Sequence, residues 1–284
     1  MGAVSLTTKD VARLLKVSEA TVKRWADSGA LKPGKTVGGH RRFTVDSVAQ
    51  LRRDRGLVRA PMQQKNEPRP KQPLKPLTPP ETLLQSILAG DEAGAAANLI
   101  DGYLHQHPLT AILDTTITES MHRLGELWFK GDITVADEHL ATQVLIGALQ
   151  KLRVVVEPAD PNGRTAICCA IEGDLHEVPV HLVEIMLESH GWETVNLGPN
   201  TPLTALRDMV VQKRVQLVCI SARSIADLHR ATTEYAQLLK SAARVNARLV
   251  IGGEAFRDEA VRERFPAEFY GRDFSEFGKF LSLP

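Results

Sequence analysis

The residues whose types and spacing could do chemistry are Asp174 and His176, in the run Gly173-Asp174-Leu175-His176-Glu177. An imidazole can ligate a metal through one ring nitrogen while a nearby carboxylate holds the other, which sets the tautomer and raises ligand basicity. The run lies between an apolar stretch, Thr165 to Ile171, and a helix-like stretch, Val180 to Leu187. A buried strand that ends in such a loop, just ahead of a helix, is where open α/β sheets place ligand chemistry. A loop His beside an Asp is otherwise an ordinary surface pair, so its company decides the reading. A second group is polar and basic: Thr21, Lys23 and Arg24 in one helix-like run, then His40, Arg41 and Arg42 after a Gly-Gly pair. Side chains of this kind reach phosphates and base edges.

The elements that must position these groups differ sharply in composition. Net charge is +1, but residues 1–75 hold 17 Lys/Arg against 6 Asp/Glu, while the remainder holds 18 against 28. A basic head on an acidic body points to a polyanion partner for the head alone. At 284 residues and 43% hydrophobic content the chain has length for two or three domains with packed cores. No apolar run approaches the ~18–20 residues of a membrane span, and the N-terminus lacks a signal-peptide pattern. Cys168, Cys169 and Cys219 fall in apolar strand-like runs. They read as free thiols of a cytoplasmic protein, not a disulfide frame or a zinc site. No Ser-His-Asp, paired-carboxylate or P-loop pattern is present.

In the head, residues 1–56, Leu6 to Leu15 reads as a helix capped by Thr7 or Thr8, and Ser18 caps a second helix from Glu19 to Ser28 that Gly29 closes. Val22 and Trp25 should face the core, leaving Glu19, Ala20, Thr21, Lys23 and Arg24 outward, which is helix-turn-helix spacing with the second helix as the major-groove reader. Two strand-like pieces around Gly38-Gly39 form a wing that carries His40, Arg41 and Arg42 toward phosphate or the minor groove, with Phe43 as its anchor. A further helix runs from Ser47 to Arg53. Thr21-Val22-Lys23-Arg24-Trp25 followed by Gly38-Gly39-His40-Arg41-Arg42-Phe43 resembles the MerR-type winged helix, which implies double-stranded DNA as partner. A head of this size offers few contacts, so tight binding calls for a homo-oligomer, a dimer or tetramer, that holds heads together.

Residues 57–79 form a Pro-rich linker. Seven prolines and five Lys/Arg between Arg59 and Pro80 leave too little apolar surface to order it, so an extended tether with heads free of the body is expected. Residues 80–157 read as a four-helix bundle: Thr82–Ala89, Asp91–Leu104, a third from Pro108 through Leu124, and a fourth over Val135–Val156 with Leu140, Val144, Leu145, Ala148, Leu149 and Leu152 as its stripe. Residues 163–284 alternate five strands (Thr165–Ile171, Glu193–Leu197, Leu217–Ser221, Arg248–Ile251, Glu268–Tyr270) with helices (Pro179–His190, Pro202–Lys213, Ile225–Ala243, Ala255–Phe265, Asp273–Leu281). That alternation predicts a doubly wound, Rossmann-like parallel sheet, so the fold class is multidomain α and α/β. The loops after the strands, with Asp174 and His176, Ser221 and Arg223, and Gly252 and Gly253, then share one sheet edge.

Asp174-x-His176, the later Ser221 and the later Gly252-Gly253 together resemble the base-off, His-on cobalamin-binding domain. The resemblance makes His176 the lower axial ligand of cobalt with Asp174 behind it, Ser221 a partner of the buried nucleotide tail, and the two glycines a flat path beside that tail. Arg223 adds a charge beside the same channel, suited to a phosphate. Trp128, followed after nine residues by Glu138-His139, resembles the cap of the cobalamin-dependent, light-sensing repressors of the CarH, CarA and LitR type. There the Trp shields the upper axial ligand and the Glu bonds the adenosyl ribose. The whole order implies a repressor that senses adenosylcobalamin, and through it light, by photolysis of the Co–C bond with a change of oligomeric state. Two positions depart from the pattern. Phe129 stands where the family commonly has a cobalt-ligating His, leaving His139 as the nearby imidazole. Pro179 stands where the lower-ligand motif has Gly. These departures keep open a sensor of another corrinoid or of a tetrapyrrole such as biliverdin, or one that works without light. A corrinoid methyl carrier is the enzymatic alternative, and the head argues against it.

Overall fold

The structure is a computed structural model, and it describes residues 5–35, 40–55 and 76–283. The chain divides into two compact units, residues 1–156 and 157–284. Among the described residues no helix is long and apolar enough to cross a membrane.

The first unit opens with β1 (Ser5–Thr7), α1 (Thr8–Leu14), α2 (Glu19–Asp27), β2 (Gly34–Lys35), β3 (Arg41–Thr44) and α3 (Val45–Asp54). Leu6 was expected in the first helix. Instead it lies on β1, opposite Phe43 of β3, and both are buried. The helix starts after it because Thr7 and Asp10 form a reciprocal capping box. Ser18 caps α2 through the Thr21 amide, and Val22 and Trp25 are buried as the periodicity demands. β2 pairs antiparallel with β3, which is the hairpin of a winged helix. The expected wing tip, including Gly38-Gly39, lies outside the described residues, as does most of the expected linker. Residues 76–79 are not tether: the Thr78 carbonyl accepts a hydrogen bond from Thr116 at 3.1 Å. Nor does the head stand clear of the bundle that follows.

That bundle comprises α4 (Pro80–Leu88), α5 (Glu92–Leu104), a continuous segment of α6 (Leu109–Ala111), a π-helical stretch (Ile112–Thr118) and α7 (Glu119–Lys130), and then α8 (Val135–Val155). Arg13 of the head donates to the carbonyl of Leu104 at the end of α5, and Arg52 donates to that of Val154 in the last turn of α8 at 2.8 Å. A cation at the carbonyl end of a helix also meets the favourable end of its dipole. Where regularity predicts one plain α-helix, the wider π turns let Thr118 bond the Leu113 carbonyl five residues back and leave buried Ser120 bonded to Thr116 and Pro80. Leu83, Ile87, Leu99, Ile117, Leu124, Leu145, Leu149 and Leu152 fill the interior. Leu140, expected in the apolar stripe of α8, is 67% exposed. The first turns of that helix are solvent-facing, so periodicity had no core to report there.

The second unit is a five-stranded parallel sheet in the order β5-β4-β6-β7-β8, from β4 (Thr165–Ile171), β5 (Glu193–Thr201), β6 (Leu217–Ser221), β7 (Arg248–Gly252) and β8 (Phe269–Gly271). Its helices are α9 (Val178–Ser189), α10 (Leu203–Lys213), α11 (Leu228–Val245), α12 (Glu259–Arg262) and α13 (Phe274–Leu281). The chain runs from β4 outward to β5, then back across to β6, so the strand order reverses between β4 and β6, the place where such sheets open a ligand crevice. One face of the core joins Ile167, Val218, Ile220 and Ile251 to Leu206 and Leu238. Three boundaries differ from expectation. β5 runs on to Thr201 through two register shifts against β4. α11 starts at Leu228 because Asp227 caps it. The helix expected over Ala255–Phe265 breaks into a 3₁₀ turn and α12 at Asp258, which is extended and caps the second piece. The three cysteines are free and buried, and burial pushes the Cys169 thiol up to about 12, which makes them packing groups, not nucleophiles.

Candidate functional site

At the end of β4 the chain turns through Gly173, whose φ of +84° suits glycine, and delivers Asp174 beneath the loop. Asp174 is 2% exposed. One carboxylate oxygen accepts the His176 amide at 2.9 Å and His176 Nδ1 at 2.7 Å. The other accepts the Arg223 amide, from the loop after β6, at 2.6 Å. A single buried carboxylate therefore ties together the two loops that flank the strand-order reversal. Burial alone works to raise its pKa. The hydrogen bonds from the His176 ring, the Arg223 amide and the His176 amide outweigh it and hold the pKa below the usual carboxylate value. An ionised carboxylate only accepts, so Nδ1 is the nitrogen that donates to it, and Nε2 is the ring nitrogen left for another partner. The imidazole is 55% exposed, and its neighbour Leu175 is 74% exposed. A half-exposed imidazole held in this way can ligate a metal, with the carboxylate support that metal-binding histidines use.

The other expected residues of this unit gather on the same edge. Ser221 ends β6 opposite Gly252 of β7, and its hydroxyl has no partner among the described residues. Arg223 follows it, exposed, its guanidinium likewise without a partner among them. Gly253 has φ +107°, and a Cβ there would collide with the Ala222 carbonyl oxygen, so the fold itself demands glycine at this position. Gly252 is tight too, its would-be Cβ 3.2 Å from the Gly271 carbonyl. Pro179 sits in the first turn of α9, where its missing N–H costs no helical bond.

Asn200 is the residue that spacing alone did not mark. It has φ +54°, its side-chain oxygen accepts the Gly173 amide at 2.8 Å, and its own amide donates to the Asp174 carbonyl at 2.8 Å. The register shifts of β5 carry it over the β4 loop. The signal that could have found it is an Asn set between Pro199 and Pro202 at a strand end, a residue type that tolerates left-handed backbone and bonds neighbouring amides. Behind the same loop, on α9, His181 lies 3.1 Å from Glu177 and 3.5 Å from buried Glu184, which also accepts from Asn196 at 3.0 Å. Its hydrogen bond to Glu184, and then that to Glu177, raise the His181 pKa against the opposing effect of burial.

In the helical unit, Trp128 lies near the end of α7 and is 51% exposed, with Phe129 at 86%. Gly131, in left-handed conformation, closes α7, and Thr134 opens α8 with a capping box to Asp137. Glu138 follows, its carboxylate accepting from Thr142 at 3.0 Å and lying 3.6 Å from the exposed His139. With Val135 and Leu140 also exposed, this corner combines an indole, apolar side chains, a carboxylate and an imidazole. In the head, α2 presents Lys23 and Arg24 outward, with Thr21 half-buried and within hydrogen-bond reach of Arg24. A groove is lined by Thr7, Thr8, Lys9 and Glu19 on one side and by His40, Arg41 and Arg42 on the other. Arg41, expected to reach outward, turns its guanidinium to α2, pairing with Asp27 at 2.7 Å and donating to the Lys23 carbonyl. It clamps the wing strand to the outward helix.

Residues 5–56 match the helix-turn-helix domain model, and residues 80–153 and 164–273 match two B12 binding domain models. The chain is similar to the HTH-type transcriptional repressor CarA of Myxococcus xanthus, 28% identical over 90% of this chain and 88% of that protein. It is also similar to methionine synthase of Mycobacterium leprae, 28% identical over 50% of this chain but only 12% of that enzyme. In fold it is like the Methanosarcina barkeri monomethylamine corrinoid protein, with a TM-score of 0.59 at 18% identity over 70% of this chain and 94% of that one.

Proposed function

We propose that this chain, which joins a helix-turn-helix domain to B12 binding domains, is a DNA-binding transcriptional repressor that holds adenosylcobalamin and responds to light through it. The observation that carries the reading is buried Asp174 within 2.7 Å of His176 Nδ1, which leaves Nε2 of a half-exposed ring to serve as the ligand. The donor set fits the corrinoid. His176 would hold the cobalt, Ser221, whose hydroxyl has no partner among the described residues, would hydrogen-bond the nucleotide tail, Arg223 would meet its phosphate, and Gly252 and Gly253 would keep side chains out of the tail's path. Adenosylcobalamin supplies a cobalt–carbon bond that visible light breaks.

The chain's own residues do the rest. Within the helical unit, Trp128 would offer the adenosyl group an apolar plane, Glu138 an acceptor positioned by Thr142, and His139 an imidazole. When contacts at this corner of α7 and α8 change, the surface through which protomers assemble changes with them. DNA is held by the outward face of α2, with Thr21, Lys23 and Arg24, and by His40 and Arg42 across the groove, while Arg41 sets the angle between the two. Heads joined in a dimer or tetramer act together, so loss of the oligomer costs avidity and leaves each head with few phosphate contacts.

Phe129 favours a second reading. Its exposed ring cannot ligate cobalt, which fits a sensor of another corrinoid or of a tetrapyrrole such as biliverdin, or one that works without light. The likeness to corrinoid proteins also suits a methyl carrier, which has no use for a DNA-binding head. The test is to load the full chain with adenosylcobalamin in the dark and follow its spectrum, its size and its affinity for DNA enriched from a random pool, before and after illumination. The expected result is a cobalamin-bound oligomer that binds DNA in the dark and dissociates in light, with retention lost in His176→Ala. A chain that retains no cobalamin, or a His176→Ala variant with unchanged spectrum and retention, refutes the proposal.

A further inference from the structure

We infer that Asn200 is a positioning residue that anchors the His176 loop before any ligand arrives; this rests on the reading of His176 as the lower ligand of cobalt. The loop between β4 and α9 has neighbours on both sides. On the β6 side it is tied by the Arg223 amide to Asp174. On the β5 side, among the described residues, it is tied by Asn200 at two points: the Gly173 amide donates to the Asn200 side chain and the Asn200 amide donates to the Asp174 carbonyl, each at 2.8 Å. The bonds bracket the peptide unit between Gly173 and Asp174, so they fix the direction in which the Asp174 side chain leaves the backbone. Asp174 in turn fixes the imidazole.

The residue type matters for two reasons. φ at position 200 is +54°, which Asn tolerates and most side chains do not. The acceptor must also be short enough to reach an amide beside its own backbone. Gly173 itself has φ +84°, and a bend of that kind has no intrinsic preference to stay put. Without the amide oxygen of Asn200, the Gly173 N–H loses that acceptor, and of the two bonds from residue 200 only the one from its backbone amide to the Asp174 carbonyl is left. Outer groups that orient a metal ligand typically change affinity by 10- to 100-fold when removed.

The test compares the full chain with Asn200→Gly, which accepts the left-handed backbone but lacks the acceptor, Asn200→Asp, which keeps an acceptor oxygen, and His176→Ala. In the ligand-free proteins, amide exchange at Gly173 and His176 should quicken in Asn200→Gly and stay near wild type in Asn200→Asp. After loading with adenosylcobalamin in the dark, Asn200→Gly should release it about 10- to 100-fold faster and shift its visible spectrum toward that of His176→Ala. Asn200→Asp should restore both. Wild-type exchange and release in Asn200→Gly, or an Asn200→Asp variant no better than Asn200→Gly, overturns the inference. If His176→Ala itself binds and absorbs as wild type while exchange at Gly173 still quickens in Asn200→Gly, the lower-ligand reading falls and takes the positioning role with it. That failure is told apart by the exchange data, which involve no cobalamin.

Discussion

Asp174→Asn is the sharpest probe of how the site is held. The side chain is buried, and its two oxygens accept three hydrogen bonds, from the His176 amide, the His176 ring and the Arg223 amide. Asparagine keeps the shape but has only one oxygen, and its NH2 must face one of these donors. If the oxygen stays with His176, the Arg223 amide is left facing an N–H group on a side chain that is itself buried. An orphaned buried donor costs about 1–3 kcal/mol, and 1.36 kcal/mol is a factor of ten in a rate or equilibrium. Hydrogen exchange at the Arg223 amide should therefore quicken by about 5- to 150-fold in the ligand-free chain. If the amide flips to spare Arg223, the same penalty falls on the His176 amide and ring, and exchange quickens there instead. In either case the ring loses the anion that fixes its tautomer, which nitrogen chemical shifts of a labelled imidazole report directly. Unchanged exchange at both amides together with an unchanged tautomer would show that the carboxylate does not organise the loop.

Other perturbations follow from the same geometry. His181 gains Glu184 and Glu177 on folding and its pKa is raised, so its stabilisation is complete below the ordinary histidine value of about 6.5 and is lost as pH climbs through the raised folded value. The thermal midpoint of the wild type should fall more steeply across that window than that of His181→Gln, and parallel curves would refute the link. Gly253→Ala must place a methyl group against the Ala222 carbonyl at φ +107°, so the thermal midpoint should drop by several degrees, corresponding to roughly 1–3 kcal/mol, whether or not a ligand is added. Arg52→Ala removes the bond from α3 to the last turn of α8 and should increase the rotational freedom of a fluorophore placed on α2, while the helix content in circular dichroism stays the same. An unchanged anisotropy decay would mean that the bond does not hold the head to the bundle.

Much was legible in the residues themselves. Local rules are strong where a short side chain meets its own backbone, so Ser18 capped α2 as expected. All five strands were legible as apolar runs, and three of them, β4, β6 and β7, are buried because both faces of a parallel sheet are covered there. β5 and β8 carry half-buried residues, and β5 extended past its expected end through register shifts that no periodicity encodes. Leu140 failed in the opposite way: helical spacing marks which residues share a stripe, but not whether anything covers the stripe. The pairing of Asp174 with His176 is a contact between near neighbours in sequence and could be read from spacing.

What spacing could not supply are the contacts that cross the chain. The Arg223 amide reaches Asp174 from 49 residues away, and Asn200 reaches Gly173 from 27. Arg41 was read as reaching out of the head, yet it folds back on Asp27 because the wing strand returns beside α2. Residue order alone determined the domain types, the loop with Asp174 and His176 and the helix with the outward basic face, since each depends on local propensity and periodicity. Which side chains brace that loop, and which basic groups are already engaged inside the head, was decided only when parallel strands brought distant loops to one edge, because hydrogen-bond partners are chosen by distance in space and not by distance along the chain.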